Sequence, residues 1–344
     1  MPQTFNRRQA LALAAGAAST SPFAAQAQTA LRAHTAAPGS STFIFMTSAQ
    51  TIVQKHVGVQ MNVTTGMAAT RSTLDATRDQ VDLFISSPAI NHYMLQRQEM
   101  FKDMADAPEA FKAQVRGIMN FPLGPYHVIV YDSSGIKELK DIKGKKVFLG
   151  PPGGAATVVA LALVEGATGY KPNVDYQQAR FDWNSGNQAF QDKQVDVAII
   201  PTELPSPAVA QFALLDKIRL LSIPDESLST EPMKKILAIP GRTIVEIPNG
   251  IYGANQVNTA PVKAVGSWVG LSTRTALDAD LVYKVTKAIF ENIADIHAAA
   301  PFMKFITKDT ALMEMNAPLH VGALKYYREI GMKVDPSLVP PEGK

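Results

Sequence analysis

Apolar and polar positions alternate in two different periods along this chain, and the periods take turns. Residues 43–57 carry apolar side chains at near-helical spacing (Phe43, Met46, Ala49, Ile52, Val53, Val57), which predicts a helix. Residues 59–63 then alternate as a strand. A helix over 68–78 leads into an apolar strand at 81–86. The β-branched and aromatic run 126–131 predicts another strand, broken by Asp132-Ser133-Ser134-Gly135, with a short helical turn at 136–142. Further strands are expected at 31–35, 174–179, 195–200, 218–223 and 262–271. A loop and helix are expected at 181–192, and one amphipathic helix spans 281–298. Residues 236–258, rich in Gly, Pro and Asn, show no long periodic run, and the Pro-rich tail 339–344 reads as loose. Helices that alternate with strands of parallel type define a doubly wound α/β architecture.

The most informative stretch is 145–166. A short apolar run (Val147, Phe148, Leu149) turns on Gly150-Pro151-Pro152-Gly153-Gly154 and enters an Ala-rich helix. Backbone N–H groups at such a helix start can face an anion. The loop has no Lys-Ser or Lys-Thr closure of a P-loop, and its glycines do not follow G-x-G-x-x-G. A small carboxylate suits it better than a nucleotide.

The strands at 126–131 and 262–271 are the two expected crossings between lobes. They divide the chain into a discontinuous first lobe, 28–131 and 262–344, and a second lobe, 132–261. Ligands in open α/β sheets sit beyond the carboxyl ends of strands. In this chain those ends carry the loops 38–42, 65–68, 86–88, 150–156 and 202–205. The candidate donors on them are Ser40, Ser41, Thr42, Thr65, Gly66, Ser86, Ser87, Gly153, Gly154, Thr157 and Thr202. Few acids are among them, as a cleft for an anion requires. Arg71 is the candidate bidentate partner for a carboxylate, against its reading as an exposed helix arginine. Trp183 and Asn184 are candidates to cover and orient a ligand, and Glu203 to hold an ammonium group, against packing and surface-charge readings.

Composition narrows the class. The 344 residues include no cysteine, which excludes a disulfide framework, thiolate metal sites and a cysteine nucleophile. The N-terminus pairs Arg7-Arg8 with an apolar Ala-rich run and an Ala25-Gln26-Ala27 exit, the form of a Tat-like export signal over residues 1–27. Removing it leaves 31 basic against 30 acidic groups, so charge offers no case for nucleic acid or a membrane surface as partner. The six histidines lack metal-ligand spacing and no G-x-S-x-G elbow occurs, so no metal, cofactor or catalytic residue is expected. Acidic pairs such as Asp75 and Asp79 read as solvated.

In order along the chain, Asp132-Ser133-Ser134-Gly135-Ile136-Lys137, Leu139-Lys140-Asp141-Ile142-Lys143-Gly144-Lys145-Lys146-Val147, Gly150-Pro151-Pro152-Gly153, Ile218-Arg219-Leu220-Leu221, Ile247-Pro248-Asn249-Gly250-Ile251-Tyr252 and Pro318-Leu319-His320 form a pattern. That pattern resembles the TAXI-type substrate-binding proteins of tripartite ATP-independent periplasmic (TRAP) transporters. The resemblance implies a two-lobed, type II periplasmic binding fold that captures a glutamate-like amino acid or dicarboxylate. It also implies a monomer that delivers the ligand to TRAP permease subunits in the membrane. Tyr252, in the matched run, becomes a candidate hinge or ligand residue. The alternatives left open are a periplasmic sensor of the same ligand class and an enzyme on the same fold.

Overall fold

The computed structural model describes residues 30–36 and 38–343, so the export-signal reading of 1–27 lies outside the described residues. The elements run β1 (Leu31–His34), α1 (Ser41–His56), β2 (Met61–Thr64), α2 (Ala69–Ala76), β3 (Leu83–Ser86), α3 (Pro88–Gln96), α4 (Ala107–Gln114) and β4 (Val115–Tyr131). They continue as β5 (Lys146–Phe148), α5 (Ala155–Thr168), β6 (Gln177–Ala179), α6 (Trp183–Gln191), β7 (Val197–Pro201), α7 (Pro207–Leu215), β8 (Ile218–Leu220) and α8 (Glu231–Leu237). The chain closes with β9 (Arg242–Ile247), β10 (Val262–Arg274), α9 (Ala279–Glu291), α10 (Ile293–Ala299) and α11 (Val321–Glu329).

One path of strands, β2-β1-β3-β10-β4-β7-β5-β6, runs through the sheet, with β8 beside β4 and β9 beside β10. Within each half the strands are parallel: β1 with β2 and β3, and β5 with β6 and β7. The two long strands are antiparallel to them and belong to both halves. Strand β4 pairs with β10 over residues 115–125 and then with β7 over 126–130. Strand β10 pairs with β9 over 262–267 and with β3 over 270–273. The chain therefore crosses between the halves on two adjacent strands, and this is a two-lobed α/β fold.

The partner change occurs at a β-bulge. Ser267 faces Gly124 but Trp268 faces Pro122, so Leu123 is extra on β4. Pro122, Gly124 and Pro125 hide the first half of β4 from sequence patterning, because each reads as a strand breaker. A second correction concerns the C-terminal tail, which is anchored. Glu342 accepts two hydrogen bonds, 2.7 and 3.1 Å, from the buried guanidinium of Arg116. The helix expected at 281–298 is two helices, interrupted at Asn292 (φ −115°, ψ 28°).

Among the described residues the buried apolar side chains form three cores. One joins both halves, from Phe84, Tyr93 and Phe111 to Val147, Leu163 and Ile236. The other two are separate: Phe45, Phe121, Ile289 and Tyr327 under the first half, and Phe148, Phe190 and Phe212 under the second. The halves thus share a packed seam on one side of the crossing strands and part on the other.

Candidate functional site

The carboxyl ends of β1 and β3 point at the bulge from one half, and that of β7 points at it from the other. The loop after β7 sits on it: a Cβ at Gly124 would lie 2.0 Å from the Thr202 carbonyl oxygen, and Gly124 has φ +130°. Only glycine fits that approach. The Thr202 hydroxyl donates to the Glu203 carboxylate at 2.9 Å and lies 2.9 Å from Ser206 Oγ. Behind the loop, the Ser206 N–H donates to the Tyr252 hydroxyl (3.1 Å), which also meets His127 (2.6 Å).

Glu203 is 7% exposed. Burial pushes its carboxyl up, opposed by hydrogen bonding from its own backbone, Thr202 and Ser41. That last residue comes from the other half. Ser41 begins α1, is 4% exposed, and its hydroxyl has no well-formed hydrogen bond. The Thr35 hydroxyl, at the end of β1, is likewise buried without a partner. Ser40 caps α1 by accepting from the Phe43 N–H at 3.2 Å, and its hydroxyl lies 3.2 Å from that of Thr42. Ser40, Ser41, Thr42, Thr202 and Glu203 are thus brought to one end of the junction.

The other end lies around the start of α3. Ser87 caps that helix, accepting from Ile90 (3.2 Å), and Ser86 is held by Thr73 and Asn91 at 3.1 and 2.9 Å. Gly241 packs on Pro88 and Trp268, and its N–H donates to Glu314 at 2.7 Å. Arg242, which follows it, has its guanidinium carbon 5.6 Å from the Tyr126 ring centroid. Alternate residues of a strand face opposite ways, so Arg242 and Tyr126 lie across β4 from His127 and Tyr252.

The remaining sequence candidates divide clearly. Thr65 and Gly66 are exposed, in a loop tied to β1 by the Gly66 N–H to Ala36 carbonyl bond (3.1 Å). Arg71 is half exposed, with Nε 2.7 Å from Asp75. Asp75 is buried at 3%, so its reading as a solvated acid is corrected. Gly154 caps α5, Gly153 has open space about it, and Thr157 donates back to the Pro151 carbonyl at 2.6 Å. Trp183 closes over Gly150 and meets Phe148 edge-on at 5.7 Å, while Asn184 is exposed. Sequence reasoning missed Thr35, Tyr126, Trp268 and Arg242. A surface recess of about 470 Å³ lies elsewhere, lined by Lys137, Glu138, Glu246 and the ion pair Lys263–Asp225.

The fold is a two-lobed α/β sheet with paired crossing strands and hydroxyl-bearing loops at their junction. The chain belongs to the NMT1-like family, whose model matches residues 34–331. Among solved structures, the periplasmic binding protein BugD is 12% identical with a TM-score of 0.54, covering 88% of this chain and 93% of its own. A structure described as a periplasmic transporter is 19% identical with a TM-score of 0.51, covering 88% and 92%. At these identities the likeness is one of fold. No helix among the described residues is long and apolar enough to cross a membrane.

Proposed function

We propose that this chain is an exported, periplasmic solute-binding protein that holds a small organic anion, glutamate-like or a dicarboxylate, between its lobes. It then delivers that anion to the membrane permease of a TRAP transporter. In this reading one lobe comprises residues 28–131 and 262–344, the other 132–261, and β4 and β10 are the hinge. The observation that carries it is the junction itself. Both long strands change partners at the bulge beside Gly124, where the Ser41 hydroxyl of one half meets Glu203 of the other. Backbone N–H groups at the α1 and α5 starts and the hydroxyls of Ser41 and Thr42 are the proposed donors, while the Thr202 hydroxyl holds Glu203. Closure excludes water and strengthens each contact. No bond in the ligand needs to change.

The test is calorimetric titration of residues 28–344 with L-glutamate, succinate and 2-oxoglutarate, with a neutral sugar as control. A carboxylate bound at micromolar strength and recovered unchanged is the expected result. Its chemical conversion would point to an enzyme instead, and selective binding of the sugar would end the anion reading.

A further inference from the structure

Arg242 stands apart from the other buried arginine among the described residues. It is 8% exposed, its Nε is fully buried without a hydrogen-bond partner, and no carboxylate among the described residues lies within ion-pairing distance. Glu314, from a distant part of the chain, accepts from the neighbouring Gly241 N–H at 2.7 Å instead. The other well-buried arginine, Arg116, shows the usual arrangement: a carboxylate at 2.7 Å and two backbone carbonyls. A guanidinium carries five donors, and the one on Arg242 Nε is shut off from water without an acceptor. One tyrosine face at 5.6 Å offsets only a small part of that. The Tyr93 hydroxyl is buried close by and also lacks a partner. Two donors of this kind at one seam need an acceptor that the chain does not supply.

We propose that Arg242 is the ion-pair partner of the ligand's carboxylate, with the Tyr93 hydroxyl as a second donor, in a subsite between the start of α3 and β9. The subsite rests on the solute-binding reading above and names the group it grips. It also assigns Arg71, already beside Asp75, no part in the ion pair. A fork of two parallel N–H groups favours a planar carboxylate, so a ligand amide loses the contact. Because the seam joins the two lobes, a bound carboxylate cross-links α3 of one to β9 of the other.

The experiment compares wild type with R242M, R242K and R71Q by calorimetry with L-glutamate, succinate and 2-oxoglutarate. Melting curves are recorded in sodium formate against equal sodium chloride. R242M should weaken carboxylate binding about a hundredfold, R242K about tenfold, and R71Q less than threefold. Formate should raise the melting temperature of wild type and not that of R242M. Unliganded R242M should melt no lower than wild type, since an unpaired buried charge has been removed. Full-strength binding by R242M, or a marked drop in its unliganded melting temperature, overturns the subsite and leaves the solute-binding reading intact. Should no metabolite bind while formate protects only wild type, the solute reading fails and the subsite stands. Equal formate protection of both proteins, or of neither, overturns the subsite.

Discussion

The Tyr252 hydroxyl and Nε2 of His127 lie 2.6 Å apart, and the direction of that bond follows from what surrounds it. His127 Nδ1 is 3.0 Å from the Pro125 carbonyl, which can only accept, so Nδ1 carries the proton. Burial pushes the imidazole down to about 4, so Nε2 is bare and accepts from Tyr252. The tyrosine oxygen then accepts from the Ser206 N–H. Every atom of the relay is satisfied, and it fixes the loop that carries Glu203 to β4.

Acid should undo this relay. The imidazole's ordinary value is 6.5 and its folded value about 4. Between those values the unfolded chain takes a proton that the folded chain refuses. Stability is complete above pH 6.5 and declines as pH falls towards 4, by about 3 kcal/mol in all. Urea unfolding at pH 7 and pH 4.5 measures it. Tyr252→Phe should cost about 1–3 kcal/mol at pH 7, because Nε2 and the Ser206 N–H lose their partner. A variant as stable as wild type would show that the relay is not structural.

A second acid-sensitive group sits in the first half and titrates in a lower window. Asp82 accepts from Arg32 at 2.8 and 2.9 Å and from Arg274 at 2.9 Å, tying β1 and β10 to the start of β3. Burial alone would raise its carboxyl. The Arg32 and Arg274 bonds together outweigh that and bring it to about 2. Its contribution is therefore whole above pH 3.8 and lost as pH falls towards 2, about 2 kcal/mol. Asp82→Ala should destabilise by about 3 kcal/mol or more at pH 7, since two guanidinium groups lose their acceptor. Denaturation midpoints at pH 4 and pH 2 read this loss, because that of His127 is spent between pH 6.5 and 4.

How far the sequence exposed this architecture depended on whether a signal was local. The apolar runs at 81–86, 126–131 and 195–200 mark strands that are buried on both faces, and they stand in the sheet as expected. Strand β9 was concealed because Pro240-Gly241 precedes it and its buried positions are only its first and last, Arg242 and Ile247. The small-residue stretches at 38–42 and 202–205 were visible as breaks after strands, although Ser41 and Thr42 already belong to the first turn of α1. What makes Arg242 noteworthy is a missing partner, and a missing partner is a tertiary fact. Arg71 looked similar in the sequence, yet Asp75 lies one helical turn away and takes it up.

Glu203 should respond to pH in the opposite sense to His127 and Asp82. Its carboxyl is raised by burial, so the folded chain holds a proton that the unfolded chain releases. Stability on its account is present below the ordinary value of 4.5 and falls as pH rises through the folded value. Glu203→Gln removes the penalty while keeping an acceptor for Thr202. The variant should gain on wild type in melting temperature between pH 5 and pH 8. An identical difference at both pH values would mean that the carboxyl is already ionised throughout.

Two glycines with positive φ offer a matched test of the junction. Gly124 has φ +130° and the Thr202 carbonyl oxygen 2.0 Å from where a Cβ would stand; Gly153 has φ +73° and nothing within 4 Å. Gly153→Ala meets only the backbone penalty, about 1–2 kcal/mol. Gly124→Ala meets a backbone penalty and a steric overlap that neither strand can relieve without moving the 202–203 loop. It should therefore destabilise by at least about 2 kcal/mol more than Gly153→Ala in chemical denaturation. It should also weaken carboxylate binding, because Thr202 and Glu203 are lifted away from Ser41. Equal costs for the two variants would show that the β7 loop is free to shift at the bulge, and that the close approach of the halves there is not what holds the junction in register.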